Sequence, residues 1–147
     1  MTPHPTTRPA IDVARTLTLT RPFAEVVPRV RAALAAQGFG VLTEIDLTTT
    51  LREKRGAEIE DFVILGACNP ELAERAVRID RRVGVLLPCN VVVRDAGDHT
   101  VVQVMNPELL AAVTAEPGLE PVAQEAGRRI DAVLAELSED GAEPGRG

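Results

Sequence analysis

The sequence predicts an α+β fold, a mostly antiparallel sheet with helices packed mainly on one face. Three observations lead there. Short aliphatic, β-branched runs such as Phe62 to Leu65 and Thr100 to Met105 stand apart from amphipathic segments that carry their own helix-start residues. The tetrapeptide Asp95-Ala96-Gly97-Asp98 joins two such runs as a hairpin, a connection available only to antiparallel strands. The runs of strand are interrupted by separate helices, the pattern of an α+β domain.

The ends come first. Residues 1–10, rich in Pro and Thr, and residues 139–147, polar and glycine-rich, read as disordered termini around a single domain over 11–138. Val13 to Thr20 alternates Val13, Leu17 and Leu19 with Arg15, Thr18 and Thr20, as a first strand does. A helix then runs to Gln37 on Val26, Val27, Val30, Ala33 and Leu34, and Gly38 stops it. Pro28 predicts that this helix begins late or bends. Val41 to Ile45 is a short strand, after which Asp46 caps a helical turn or two with Leu47 and Leu51 on one face. Thr48-Thr49-Thr50 reads as the solvated face of that turn.

Phe62 to Leu65 is an interior strand bounded by Gly66. Asn69 as cap and Pro70 at the first helical position open a helix through Asp80, with a Glu74–Arg78 pair on its outer face. Val83 to Leu87 and Val91 to Val93 read as strand split by Pro88. Asn106-Pro107-Glu108-Leu109 repeats Asn69-Pro70-Glu71-Leu72 exactly in letters, and both follow apolar strands. One helix-starting device used twice explains this better than a duplicated half-domain, because the flanks do not align. A last helix spans about Pro121 to Leu137.

Composition narrows the function classes. With 147 residues, 45% hydrophobic and 26% charged, the chain is an ordinary globular domain. A net charge of −6 and a pI near 5.0 argue against nucleic acid as a partner, since phosphate binding needs clustered Lys and Arg. Phe23, Phe39 and Phe62 are the only aromatics, too few to stack on bases. The longest apolar run, Val83 to Val93, is broken by Pro88 and Asn90, so no membrane span is expected. Without a signal peptide at Met1 to Pro9, the expected location is cytoplasmic, where two cysteines stay reduced.

Those two cysteines are the conspicuous chemical resource. Cys68 and Cys89 each precede an asparagine, Asn69 and Asn90, and each lies where an apolar run meets a turn. A thiol before a helix cap sits in the field of free N–H groups, which favours its thiolate, so Cys68 is a candidate nucleophile, redox group or ligand. If the strands around 62–67 and 90–94 pair antiparallel, Cys68 and Cys89 meet at one edge of the sheet. Two thiols are too few for a closed zinc site, although a dimer's four, or the pair with His99 or a carboxylate, would complete one. Asn69 and Asn90, beside the thiols, are candidate ligand contacts, but the cap and turn roles of asparagine are favoured over that use. Arg82, beside Arg81, is the basic residue near the thiols that could hold a small anion. His4 and His99 fall in loops, and Ser138, the single serine, excludes a serine triad.

The elements Gly38-Phe39, Glu44-Ile45-Asp46-Leu47, Gly66-Ala67-Cys68-Asn69-Pro70, Gly84-Val85-Leu86-Leu87-Pro88-Cys89-Asn90-Val91 and Val104-Met105-Asn106-Pro107 together resemble the prokaryotic family labelled domain of unknown function 302. The resemblance covers about residues 13–115, in the family's order. It implies a compact domain related to the TATA-box-binding-protein-like folds, its sheet carrying helices on one face, with a homodimer as the expected assembly. It implies no reaction and no cofactor. Three classes of function stay open. The first is a small-ligand or metal-binding module, sensing redox state, at the Cys68/Cys89 edge. The second is a structural or dimerisation domain with packing cysteines. The third, an enzyme with Cys68 as nucleophile, ranks last because no histidine is placed as its base.

Overall fold

The computed structural model describes residues 11–139. Of the predicted terminal segments, 1–10, with His4, and 140–147 lie outside the described residues, while Glu139, placed in the tail, is the last residue of the final helix. Five strands form one antiparallel sheet: β1 (Ala14–Leu19), β2 (Gly40–Asp46), β3 (Phe62–Cys68), β4 (Cys89–Asp95) and β5 (Thr100–Met105), in the spatial order β1-β5-β4-β3-β2. Helices α1 (Phe23–Ala36), α2 (Leu47–Arg55), α3 (Pro70–Ile79), α4 (Glu108–Thr114) and α5 (Glu120–Glu139) complete the domain.

Period-two alternation decides which side of the sheet is core. Val63, Leu65 and Ala67 of β3, Val91 and Val93 of β4, and Val102 and Val104 of β5 are all buried and pack with Val26, Val30 and Leu34 of α1 and Ile130 and Val133 of α5. A second cluster, built by Leu72 and Ala76 of α3, Val83, Leu110 of α4, Leu119, and Val122 and Ala126 of α5, lies beside it and contains no strand residue.

Strands β3 and β5 both run antiparallel to β4 and so parallel to each other, and the chain leaves both at the same end of the sheet. There the repeated tetrapeptide holds a distant segment at a helix start twice. The Asn69 side chain accepts from Leu72 N (3.2 Å) and donates to the Gln37 carbonyl (3.4 Å). The Asn106 side chain accepts from Glu108 N (3.1 Å) and donates to the Asp12 carbonyl (3.0 Å). Each asparagine thus holds a distant segment at a helix start, which is why both are buried, but only Asn69 is the cap. Helix α4 begins one residue later than expected, after Pro107, and Asn106 makes a turn to Glu108 N just ahead of it.

Three expectations need correction. Residues 83–87 are not strand: Arg81–Leu86 is a 3-10 turn, opened by Asp80, whose carboxylate accepts from Arg82 N. Strand geometry would put Val83 and Val85 on one face, yet Val83 is 0% exposed and Val85 87%. Three residues per turn separates them, and Gly84 tolerates the tight curve. Pro28 does not delay α1, which starts at Phe23 and runs through Pro28 to Ala36; Pro28 is exposed. Thr48 is not solvated. It is buried, donates to the Glu60 carbonyl and accepts from Phe62 N (2.8 Å each), tying α2 to the start of β3. The Asp46 cap is present, accepting from Thr49 N at 2.9 Å.

Candidate functional site at the thiol end of the sheet

Ala67 of β3 pairs with Cys89 of β4, which leaves Cys68 one residue past the register partner and opposite Gly40 of β2. Ladder spacing then puts the two cysteine Cα atoms about 6 Å apart. The sequence expectation placed the pair at an edge of the sheet; the register instead brings the two residues to one end of interior strands, with Cys89 on the Ala67 face and Cys68, one residue on, alternating to the other. Both thiols are free, Cys68 half-buried and Cys89 buried.

Both cysteine residues border a cavity of about 30 Å³ between the sheet end and the second apolar cluster, walled by Phe39, Ala67, Leu72, Leu87 and Val122. That is room for about one water-sized group, so anything larger must part α3 from the 87–89 segment. Burial, and secondarily the neighbouring Cys68, pushes the Cys89 thiol up to about 11. At neutral pH Cys89 is therefore a protonated, apolar wall of the cavity. Cys68 stands immediately before the cap of α3.

Gly66 shapes the same end. It pairs with Thr43 on one side and Asn90 on the other, and a Cβ there would overlap the Thr43 hydroxyl and come within 2.8 Å of Pro88 Cγ. Gly38, at φ +84°, turns the chain out of α1 in the left-handed region and lets Asn69 approach.

The other predicted site residues separate. Asn69 is occupied as cap and clamp. Asn90 is exposed on the side of β4 away from Cys89. Arg82 is engaged by the Asp80 carboxylate (2.7 Å) and the Thr114 carbonyl (3.1 Å), which ties the 3-10 turn to the end of α4. Its guanidinium hydrogen bonds hold the Asp80 carboxyl below the usual carboxylate range. His99 lies in the hairpin at the opposite end of β4, against Asp98 (2.6 Å), and so cannot complete a metal site with the thiols. Among the described residues no three His, Cys, Asp or Glu side chains gather as a metal site.

An open groove of about 560 Å³ lies elsewhere, along α4 and α5. Arg15 lies in it, but its donors are taken by the Gly127 carbonyl and Asp131 (2.9 Å each), with Glu108 at 3.5 Å. The apolar wall of the thiol cavity was not singled out in the sequence, because Phe39, Leu72 and Val122 come from three separate segments.

Across this fold and site, the sequence profile of the family described as domain of unknown function DUF302 matches residues 15–137. The chain belongs to the DUF302 family. The match extends past the segment in which the resemblance was visible and takes in α5. The crystal structure of an uncharacterized conserved DUF302 protein from Bacillus stearothermophilus is similar to this chain at 31% identity, with a TM-score of 0.78, over 84% of this chain and 96% of that one. No curated protein matches the chain. Among the described residues, no helix is long and apolar enough to cross a membrane.

Proposed function

We propose that this DUF302 domain is a small-ligand-binding module whose site is the apolar cavity between Cys68 and Cys89. The observation that carries it is that the chain's only two cysteines, 21 positions apart, both border one small cavity at the end of the sheet where α3 begins. Such a wall suits a small apolar or thiol-reactive ligand, and a pair of free thiols on neighbouring strands is also what a redox-sensing role requires. Metal binding within one chain is less favoured, since a closed zinc site needs four donors. The enzyme reading stays last, because His99 is at the far end of β4 from Cys68. Two reduced thiols fit a cytoplasmic setting. A five-stranded antiparallel sheet with its core on one face also fits the TATA-box-binding-protein-like architecture.

Residue-resolved alkylation of the folded protein at pH 8, read by mass spectrometry, tests the proposal. Cys68 is expected to react and Cys89 to stay unmodified until the protein unfolds, with a ligand that fills the cavity slowing Cys68. If both thiols stay silent until unfolding, they are packing residues and the module is a structural or interaction domain instead.

A further inference from the structure

Strand β2 is an edge of the sheet, and among the described residues no strand pairs with its outer side. The Asp61 carbonyl accepts from Asp95 N, so the odd-numbered residues of β3 bond toward β4 and the even-numbered ones toward β2. Ile64 and Gly66 therefore bond to their partners Ile45 and Thr43, and Glu44 between these turns its N–H and C=O outward. Every residue from Leu42, which stands in a bulge, to Asp46 is exposed.

Register gives the two sides of this edge different chemistry. Glu44 pairs with Leu65 and Asp46 with Val63, both core residues, so the two carboxylates lie on the helix-packed side. There, with Asp61, they border an open groove of about 450 Å³ walled by Phe23 and Val27 of α1, and no Lys or Arg lines it. Arg31 pairs with Glu44, but Asp61 has no salt bridge or side-chain hydrogen bond among the described residues. The opposite side of the strand carries Thr43 and Ile45, without charge.

Strand β2 has no Lys or Arg of its own. Two β2 edges paired antiparallel would set Glu44 and Asp46 against their own copies, and like charges across a ladder reject that contact. A strand with cations at the same positions is attracted instead.

We infer that the outer edge of β2 takes up an extended segment of a partner protein in which Lys or Arg alternates with apolar residues. The segment continues the ladder at Glu44, turns its cations toward Glu44, Asp46 and the groove, and lays its apolar residues beside Ile45. The groove lies at the Asp46 end of β2, whereas Gly40, at the other end, is opposite Cys68, so this reading and that of the thiol cavity can fail separately.

The probe is the end-blocked peptide Lys-Val-Lys-Val-Lys-Val-Lys, added to the isotope-labelled full chain, with amide exchange read by NMR. Exchange of the Glu44 amide is expected to slow about 10-fold or more at saturating peptide. The same peptide with Glu for Lys should not bind, and Asp46→Asn with Asp61→Asn should weaken the Lys peptide about 10-fold or more. Asn caps a helix as well as Asp does, so α2 is kept; should the double variant not fold, Asp61→Asn alone carries the test and should weaken binding in the same direction. No binding at about 1 mM peptide overturns the proposal. So does binding that leaves the Glu44 amide unprotected, which is charge attraction without strand addition, or equal binding of the Glu peptide. Protection of that amide by rising protein concentration alone, with no peptide present, shows β2 pairing with itself and overturns it too.

Discussion

Replacing Gly66 by alanine probes the backbone approach that shapes the thiol end of the sheet. The new Cβ would overlap the Thr43 hydroxyl and sit 2.8 Å from Pro88 Cγ. The two neighbours respond differently. Thr43 is exposed on the edge strand, and its hydroxyl can rotate away at small cost. Pro88 has only a change of ring pucker to offer, a smaller displacement than a rotamer change, so relief there also draws on the backbone just before β4. Overpacking of this kind costs about 1–3 kcal/mol, while losing a glycine from the unfolded chain returns about 0.4–1 kcal/mol. The overpacking wins, and Gly66→Ala is expected to lose about 1–2 kcal/mol, a drop in Tm of about 3–8 °C for a chain of this size. Urea unfolding followed by circular dichroism, with m unchanged, measures it. Adding Thr43→Ala should recover only a minor part, because the proline contact persists. If Gly66→Ala is as stable as wild type or more so, close packing is not why glycine is needed here.

Further outcomes follow from the same structure. The folded state raises the Cys89 thiol from 9.0 to about 11, so it holds a proton that the unfolded chain releases. The stability this adds is complete below pH 9 and is lost as pH rises through 11, by about 2–3 kcal/mol in all. Urea midpoints at pH 8 and 10.5 should differ in that direction, and Cys89→Ala should flatten the slope. Asn69→Ala removes a helix cap and the donor to Gln37 together, costing about 1–3 kcal/mol in the same unfolding assay; Asn69→Asp, which keeps the cap oxygen, should cost less. Thr48→Val strands the Glu60 carbonyl and Phe62 N–H and should cost about 1–3 kcal/mol, with Thr48→Ser recovering most of it.

The fold was legible wherever local chemistry and tertiary packing agree. Asp46, Asn69 and Asn106 with their following residues announce helix starts, and Asp95 to Asp98 announces the hairpin, because caps and turns are satisfied within a few residues of chain. It failed where a short apolar run has two uses. Val83 and Val85 look like strand, and only the second cluster, which takes Val83 and leaves Val85 in water, makes the segment a turn. Thr48 looks solvated by its neighbours, and only its bonds to residues 60 and 62 bury it.

The sequence alone determined the fold class, the order of strands and helices, the family, and the pair of thiols as the chemistry worth testing. It could do so because alternation, capping and motif spacing are written in neighbouring residues. Register and packing decided the rest. That Cys68 and Cys89 border one cavity, and that Arg82 holds α4 and not an anion at the thiols, depend on residues far apart in the chain. No local pattern encodes which of them a fold brings together.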